Sequence, residues 1–197
     1  EHFLLKAADN GTTWAGFELE GVLSNRSAVG AHLIGVTDTG RAIHRRRAVG
    51  MGFGNTNSPI LHLGMGTDSA LATAQIRWPS GVVQTLVAPA TGQVHQVTET
   101  GMLLDGQPVE GATLDLELCG PGGQVMGLYL STQTTELSLP GIGQLGLLPP
   151  LIPITSYPLN ADGKGMASVP IPAGVGLSGA KLYLQGLFVQ PGSLAST

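Results

Sequence analysis

Hydrophobic and polar residues alternate with a period of two along most of the chain. The clearest run is residues 113–119, TLDLELC, in which leucine at every second position alternates with threonine, aspartate and glutamate. Similar alternation surrounds Phe17, Ile76 and Met126. Successive side chains of a strand point to opposite faces, so each run predicts a strand with one buried and one solvated face. No window of a dozen residues keeps helical spacing.

Turn signals separate these runs at hairpin intervals. They are Asn10-Gly11, Pro79-Ser80-Gly81, Asp105-Gly106, Pro121-Gly122-Gly123 and Asp162-Gly163. Short strands divided in this way are typical of all-β sandwiches and barrels. The sequence therefore predicts an all-β chain of two small antiparallel β-sandwich or barrel-like domains.

Charge divides the chain unevenly and suggests where the two domains meet. Residues 1–100 hold seven basic and seven acidic side chains, whereas residues 101–197 hold two basic and six acidic ones. Between them, the polar segment 99–111, ETGMLLDGQPVEG, interrupts the alternation and carries glycine and proline. We place the domain boundary there and predict domains at 1–100 and 101–197.

Composition excludes several classes of protein. Hydrophobic residues make up 42% of the 197 positions, which is enough to build cores. A net charge of -4 gives no basic footprint for nucleic acid. The uncharged stretch between Glu136 and Asp162 is long enough to cross a bilayer, but it contains five prolines, so we expect strands and turns there and no membrane span.

Four motifs in the first half carry a resemblance to a known family. They are N-x3-W at Asn10 and Trp14, SNRSAVGAHL from Ser24, GMGFGNTNSPILHLGMG from Gly50 and WPSGVVQTL from Trp78. In this order, over about residues 10–99, they resemble an ASPIC/UnbV domain. The resemblance implies a secreted protein in which the module follows a propeller of FG-GAP or VCBS repeats. Residues 1–10 would then end that propeller, and the location would be extracellular, cell-surface or periplasmic.

Most motif residues suit structural roles. Pro79 and Gly81 favour a tight turn, and Trp78 can bury a large apolar area against the facing sheet. Arg26 has a fork of donors that could hold loop carbonyls. Several glycines indicate left-handed or bulged backbone, namely Gly30, Gly50, Gly52, Gly54, Gly64 and Gly66.

The segment 41–49, RAIHRRRAV, concentrates basic residues in a sparsely charged chain. As a strand it places Arg45 and Arg47 on one face and His44 and Arg46 on the other. One interpretation is a solvated edge strand whose charges discourage aggregation. The alternative is an anion site, in which Arg45, Arg47, Arg46 and His44 bind carboxylates or sulfates of an acidic polysaccharide.

Signals for catalysis and metal binding are weak. The chain has no G-x-S-x-G elbow and no phosphate loop. Its histidines lie far apart, and the single Cys119 can neither form an internal disulfide nor supply a zinc site. We therefore predict no catalytic residue, no metal and no cofactor, with a hydrolase as a remote alternative.

The second half, residues 110–197, has a looser resemblance to C-terminal β domains of secreted proteins from planctomycete-like bacteria, seen in LNADGKGMASVPIPAG from Leu159 and GLFVQPGSL from Gly186. The stretch 141–154, GIGQLGLLPPLIPI, is more apolar than a connecting loop needs to be. It can belong to the domain's own core or dock on a neighbouring domain or subunit. The candidate interface residues are Leu145, Leu147, Leu148, Leu151 and Ile152.

The sequence therefore supports three hypotheses about function. The leading one is a non-catalytic extracellular or cell-surface β module with a structural, adhesive or assembly role. Its partners would be other protein subunits or domains, including a preceding β-propeller. The second hypothesis is a module that binds acidic glycans or other anions, and the third is a hydrolase.

Overall fold

A computed structural model describes residues 11–50, 57–139, 143–174, 176 and 179–188. This part of the chain forms fifteen β-strands and no helix, and none of its sheets closes into a barrel. The predicted all-β class is confirmed. Residues 1–10 and the glycines at 52 and 54 lie outside the described residues, as do parts of the segments 141–154 and 186–194.

Seven strands belong to the first half. They are β1 (Thr13–Glu20), β2 (His32–Thr37), β3 (Ala42–Arg46), β4 (Ile60–Gly66), β5 (Leu71–Arg77), β6 (Val83–Val87) and β7 (Val94–Thr98). They form two sheets, with the strand orders β4-β1-β7 and β3-β2-β5-β6. One core is built from residues of both sheets, including Phe17, Leu33, Leu63, Ile76 and Trp78. The predicted burial of Trp78 is confirmed, because only 4% of it is exposed.

One strand pair departs from the predicted antiparallel pattern. β1 pairs with β7 in parallel, from Gly16 opposite Val94 to Glu20 opposite Thr98. A parallel pair needs a long connection, and here the five intervening strands supply it. Because the pairing is parallel, the carboxyl ends of β1 and β7 lie side by side at the same end of the sheet. The chain continues from there into Gly21 and Glu99 respectively.

Eight strands follow in the second half. They are β8 (Gly101–Asp105), β9 (Thr113–Cys119), β10 (Val125–Ser131), β11 (Thr134–Leu139), β12 (Gly143–Leu147), β13 (Ile152–Pro158), β14 (Lys164–Pro170) and β15 (Tyr183–Phe188). Their sheet orders are β14-β9-β8, β13-β10-β15 and β11-β12. A second core contains Leu114, Leu116 and Leu118 of β9 with Met126 and Leu128 of β10. The alternation read from residues 113–119 is confirmed.

The two halves are in direct contact. β8 lies within the segment chosen as the domain boundary, and it pairs with β9 of the second half. Cys119, at the end of β9, is fully buried in the core of the first half, and Leu103 of β8 packs against that same core. The boundary segment is therefore ordered and carries part of the packing between the halves.

The predicted turns are present wherever the structure describes them. Gly81 has φ +100° and donates its N–H to the carbonyl of Trp78 at 3.0 Å, closing the Pro79-Ser80 turn. Gly30, Gly50 and Gly66 have the expected left-handed backbone. Gly64 does not, and a methyl group added to it would meet nothing within 4 Å.

We predict that Gly101→Ala destabilises the protein by about 2 kcal/mol, because overpacking a filled site forces side chains out of place. A Cβ at this position would lie 2.6 Å from Cγ1 of Val82, which is 4% exposed. Chemical denaturation of the two variants measures the effect. Gly64→Ala is the matched control, and we expect it to be neutral or slightly stabilising. Equal stability of the two variants would contradict close packing between the halves.

Candidate functional site

The most unusual residue is Glu99, a carboxylate with no exposed surface. It follows β7, and its N–H donates to the carbonyl of Glu20 at 2.8 Å, extending the parallel pairing by one residue. A buried charge is costly unless hydrogen bonds replace its lost water. The surrounding chain supplies these bonds from two distant turns.

Four donors surround the Glu99 carboxylate. Oε2 accepts the N–H groups of Val22 and Ser24, both at 2.7 Å. Oε1 accepts the hydroxyl of Ser24 at 2.9 Å and the hydroxyl of Ser80. The Ser80 N–H in turn donates to Oγ of Ser24 at 3.0 Å, so the two serines are also joined to each other. We call Glu99, Val22, Ser24 and Ser80 the Glu99 network.

Burial by itself raises the pKa of Glu99, but this effect is outweighed. The hydrogen bonds from Ser80, from the Ser24 and Val22 N–H groups and from the Ser24 hydroxyl hold the pKa of the carboxyl below its usual value. Donors that bind the charged form favour it. Glu99 is therefore an ionised carboxylate, and both of its oxygens accept hydrogen bonds from groups of the same chain.

Neighbouring groups of the two turns are also fixed. The Asn25 side chain accepts the N–H of Val29 at 2.8 Å and donates to its carbonyl at 2.9 Å. Oε1 of Gln84 accepts the Trp78 indole N–H at 3.0 Å and the Thr100 N–H at 3.2 Å. The polar groups of SNRS and WPSG thus serve the fold, as predicted for most motif residues.

Cys119 lies close to the Glu99 network but is not an activated thiol. Burial, with a smaller contribution from the charge of Glu99, raises the pKa of its thiol to about 12. The Sγ atom is 3.6 Å from the carbonyl oxygen of Gly101. Cys119 is a free, buried cysteine. A protonated, buried thiol is a weak nucleophile and packs as a small apolar group.

The basic segment divides its arginines between different roles. Arg47 follows β3 and is only 7% exposed. Its guanidinium donates to the carbonyls of Ser27 at 3.2 Å, Ser58 at 3.1 Å and Ala48 at 3.4 Å. The anion-site hypothesis pairs Arg47 with Arg45; in the structure, Nε and Nη1 of Arg47 donate to these three loop carbonyls.

Arg47 also takes the role that the sequence suggested for Arg26. Arg26 binds no loop carbonyl among the described residues; instead its Nε lies 3.1 Å from Oε1 of Glu20, and 88% of its side chain is exposed. Arg26 sits on the surface of the motif, where an ion pair is weak. Arg47, one residue beyond its strand, is the buried clamp.

The other three candidate residues of the segment, His44, Arg45 and Arg46, line an open cleft of about 400 Å³. Gly30 and His32 complete its lining. Arg45 donates from Nε to the carbonyl of His62 and from Nη1 to that of His44, both at 2.8 Å. The rings of His32 and His44 stack with centroids 5.3 Å apart, and Nδ1 of His44 is 3.3 Å from Nε2 of His32.

A family model described as ASPIC and UnbV matches residues 21–103, which is less than half of the chain. The match begins and ends on either side of the Glu99 network and the cleft. Residues 21–103 form an ASPIC and UnbV domain. The resemblance read from the motifs is confirmed. No curated protein and no solved structure matches the chain.

Domains of the ASPIC and UnbV type occur in secreted and extracellular proteins and are associated with FG-GAP repeats. Within the described part of the chain, no three His, Cys, Asp or Glu side chains are grouped so that they could hold a metal ion. The described residues also contain no helix that is both long and apolar enough to cross a membrane.

The candidate interface residues beyond the ASPIC and UnbV domain have different exposures. Leu145 and Leu147 are buried, and their strand, β12, contacts β6 of the ASPIC and UnbV domain and β15 of the second half. Leu151 is half-buried, while Leu148 and Ile152 are 38% and 53% exposed. The chain itself therefore covers part of this apolar stretch.

We predict that Glu99→Gln lowers the free energy of unfolding by about 3 kcal/mol at neutral pH, because the amide cannot accept from all four donors. Glu117→Gln, an exposed change of the same chemistry, should alter it by less than about 0.5 kcal/mol. Urea denaturation measures both effects. Equal stability of the two variants would contradict a structural role for the Glu99 network.

The lowered pKa of Glu99 also predicts how this difference depends on pH. A carboxyl with a depressed folded-state pKa stabilises the protein above its unfolded value, about 4.3, and loses that contribution as pH falls through the folded-state pKa. The stability gap between wild type and Glu99→Gln should therefore be constant above about pH 5 and shrink in more acidic solution. A gap that widens on acidification would show that the carboxyl is protonated in the folded protein.

Two adjacent arginines allow a matched comparison. Arg47→Gln should cost about 2 kcal/mol of stability, because it removes a buried guanidinium that donates to three loop carbonyls. Arg46→Gln, which changes an exposed side chain on the same segment, should cost less than about 0.5 kcal/mol. Thermal unfolding of the two variants tests this difference, and a reversed order would contradict the assignment of Arg47 as the clamp.

Proposed function

We propose that this chain is a non-catalytic β module of a secreted or cell-surface protein, with a structural role in that protein. The ASPIC and UnbV domain supports the general class, since such domains occur in secreted proteins. The finer assignment is to a structural or adhesive part of a larger assembly. It rests on the internal hydrogen bonds made by the polar groups of the domain.

The observation that carries the proposal is the internal bonding of the motif residues. Ser24, Ser80 and Glu99 bond to one another and to backbone N–H groups, and the carboxylate has no exposed surface. A catalytic carboxylate or hydroxyl must reach a substrate. Groups buried in this way stabilise turns, so the recognisable features of the domain support its shape.

The shared core supports a role as a stiff connecting unit. Cys119 of the second half is buried among first-half residues, and β12 contacts β6. Two domains joined only by a flexible linker would move independently. A unit whose halves pack together can hold two neighbouring domains or subunits at a fixed distance. We propose such neighbours as its partners, with a preceding propeller as one of them.

Calorimetry tests the rigid-unit part of the proposal. We expect one cooperative unfolding transition for the whole chain, because Cys119 and Leu103 of the second half pack in the core of the first half. Gly101→Ala should lower the temperature of that transition without splitting it. Two transitions that respond separately to this substitution would contradict a single structural unit.

Activity and native size test the non-catalytic, assembling role. A panel of ester and glycoside substrates should show no turnover above the buffer rate. The protein purified from its source should elute with other domains or subunits, as measured by light scattering. Turnover that a single substitution abolishes in a folded variant would overturn the proposal, as would an isolated monomer of this chain at high concentration.

A further inference from the structure

One sheet of the first half has an unusual charge distribution. Its four strands, β3-β2-β5-β6, contain no Asp or Glu, although the chain has 13 acidic residues and a net charge of -4. The charged residues of these strands are Arg45, Arg46 and Arg77. The other sheet of this half includes Glu18 and Glu20 on β1. Cations without nearby acids are therefore concentrated on one sheet.

Strand register places two exposed arginines on either side of a histidine. His32 of β2 lies directly opposite Arg46 of β3 on one side and opposite Arg77 of β5 on the other. Residues directly opposite each other share a face of the sheet, and neighbouring strands are about 4.8 Å apart. Arg46, His32 and Arg77 therefore form a straight cross-strand row, which we call the cation row. His44 stacks on His32 beside it.

Other arginines of the domain are neutralised or used internally. Arg41 pairs with Asp68 at 2.8 Å, and Arg26 pairs with Glu20. In the described part of the chain, Arg46 and Arg77 take part in no salt bridge; Arg77 donates to Oε1 of Gln75 at 3.2 Å. Arg46 and Arg77 lie on β3 and β5, on either side of β2, and in the described residues neither has an acidic partner. An anion bound across β2 would interact with both guanidinium groups.

Protection of the sheet edge does not account for the whole row. Arg46 lies on the edge strand β3, where a charge discourages pairing with another chain. Arg77 lies on β5, an interior strand with neighbours on both sides, so its charge protects no edge. Arg77 therefore points to an additional role for the row.

The cation row lies at the end of the sheet that carries both motif turns. Gly30 lines the cleft with His32 and Arg46, and Pro79 lies beside Gly30, since a Cβ there would be 3.4 Å from Cγ of Pro79. Asp38 follows Thr37, at the opposite end of β2. The Glu99 network fixes the turns that border the row, so its surroundings are preformed.

We propose that the outer face of the sheet β3-β2-β5-β6 binds a linear acidic polysaccharide, whose carboxylates or sulfates lie along Arg46, His32 and Arg77. Each guanidinium can grip such a group through two parallel hydrogen bonds. The open row, crossing three strands, suits an extended polymer better than a single enclosed anion. The few cations and the net charge of -4 do not suit the dense phosphates of nucleic acid. This binding site is independent of the structural role proposed above.

Two double variants test the site, and each of them removes two positive charges, so their net charges are equal. Arg46→Gln with Arg77→Gln removes two cations from the row, and Arg26→Gln with Lys164→Gln removes two exposed cations elsewhere. Binding of both variants and of wild type is measured against polygalacturonate and dextran sulfate, at low and moderate salt. Oligodeoxynucleotide and poly-aspartate serve as other polyanions, and citrate serves as a small anion. Thermal unfolding confirms that each variant is folded.

We expect wild type to bind one or both polysaccharides with an affinity that falls as salt rises. The row variant should lose roughly tenfold in affinity and the control less than twofold. Equal losses in the two variants would overturn the site, as would the absence of polysaccharide binding. Tighter binding to the oligodeoxynucleotide, to poly-aspartate or to citrate would overturn the assigned ligand. Aggregation of the row variant with unchanged binding would assign the cations to surface protection.

Discussion

The structure of the first half depends on keeping one charge out of water. The carboxylate of Glu99 has no exposed surface and remains ionised because hydrogen bonds to it outweigh the effect of burial. To satisfy it, the chain brings the turn after β1 and the turn after β5 to the end of β7. Two segments more than fifty residues apart thereby acquire fixed positions relative to each other. The first residues of the second half follow directly, since Gly101 begins β8 two residues later.

A second constraint acts on the arginines after β2. Ile43 of β3 is buried, so the side chains at 45 and 47 point toward the same interior side of the sheet as Ile43. At the sheet edge, that side offers backbone carbonyls instead of apolar partners, and Arg45 and Arg47 donate to them. Arg46 points the opposite way, onto a face without carboxylates. One segment thus supplies both a clamp for the fold and an exposed cation, and the alternation of the strand separates these roles.

Sequence patterns predicted the features that depend on neighbouring residues alone, namely strand alternation and tight turns. The leucines of β9 and the turn at Gly81 follow from alternation and from backbone preference, and both are as expected. The family resemblance also depended on contiguous motifs. The parallel pairing of β1 with β7 was not predictable in this way, because it joins segments more than seventy residues apart. The burial of Arg47 was missed because the strand ends at Arg46, and two of the three carbonyls that it binds, those of Ser27 and Ser58, are 20 and 11 residues away in sequence.

Glu99 shows most clearly why part of the site could not be found from sequence. It begins a polar segment with glycine and proline, which has the composition of a linker, and an acidic residue there suggests solvent. Its partners Ser24 and Ser80 are small polar residues in turns, where such residues are common for local reasons. The one available signal is that serine occurs in both the SNRS and WPSG motifs, while a turn requires only the glycine or proline. This signal is weak, because the Ser80 hydroxyl also accepts the N–H of Val82 at 3.2 Å, a local bond that by itself accounts for a turn serine. The shared partner of the two serines, the buried carboxylate at the junction of the halves, is visible only once the fold brings both turns together.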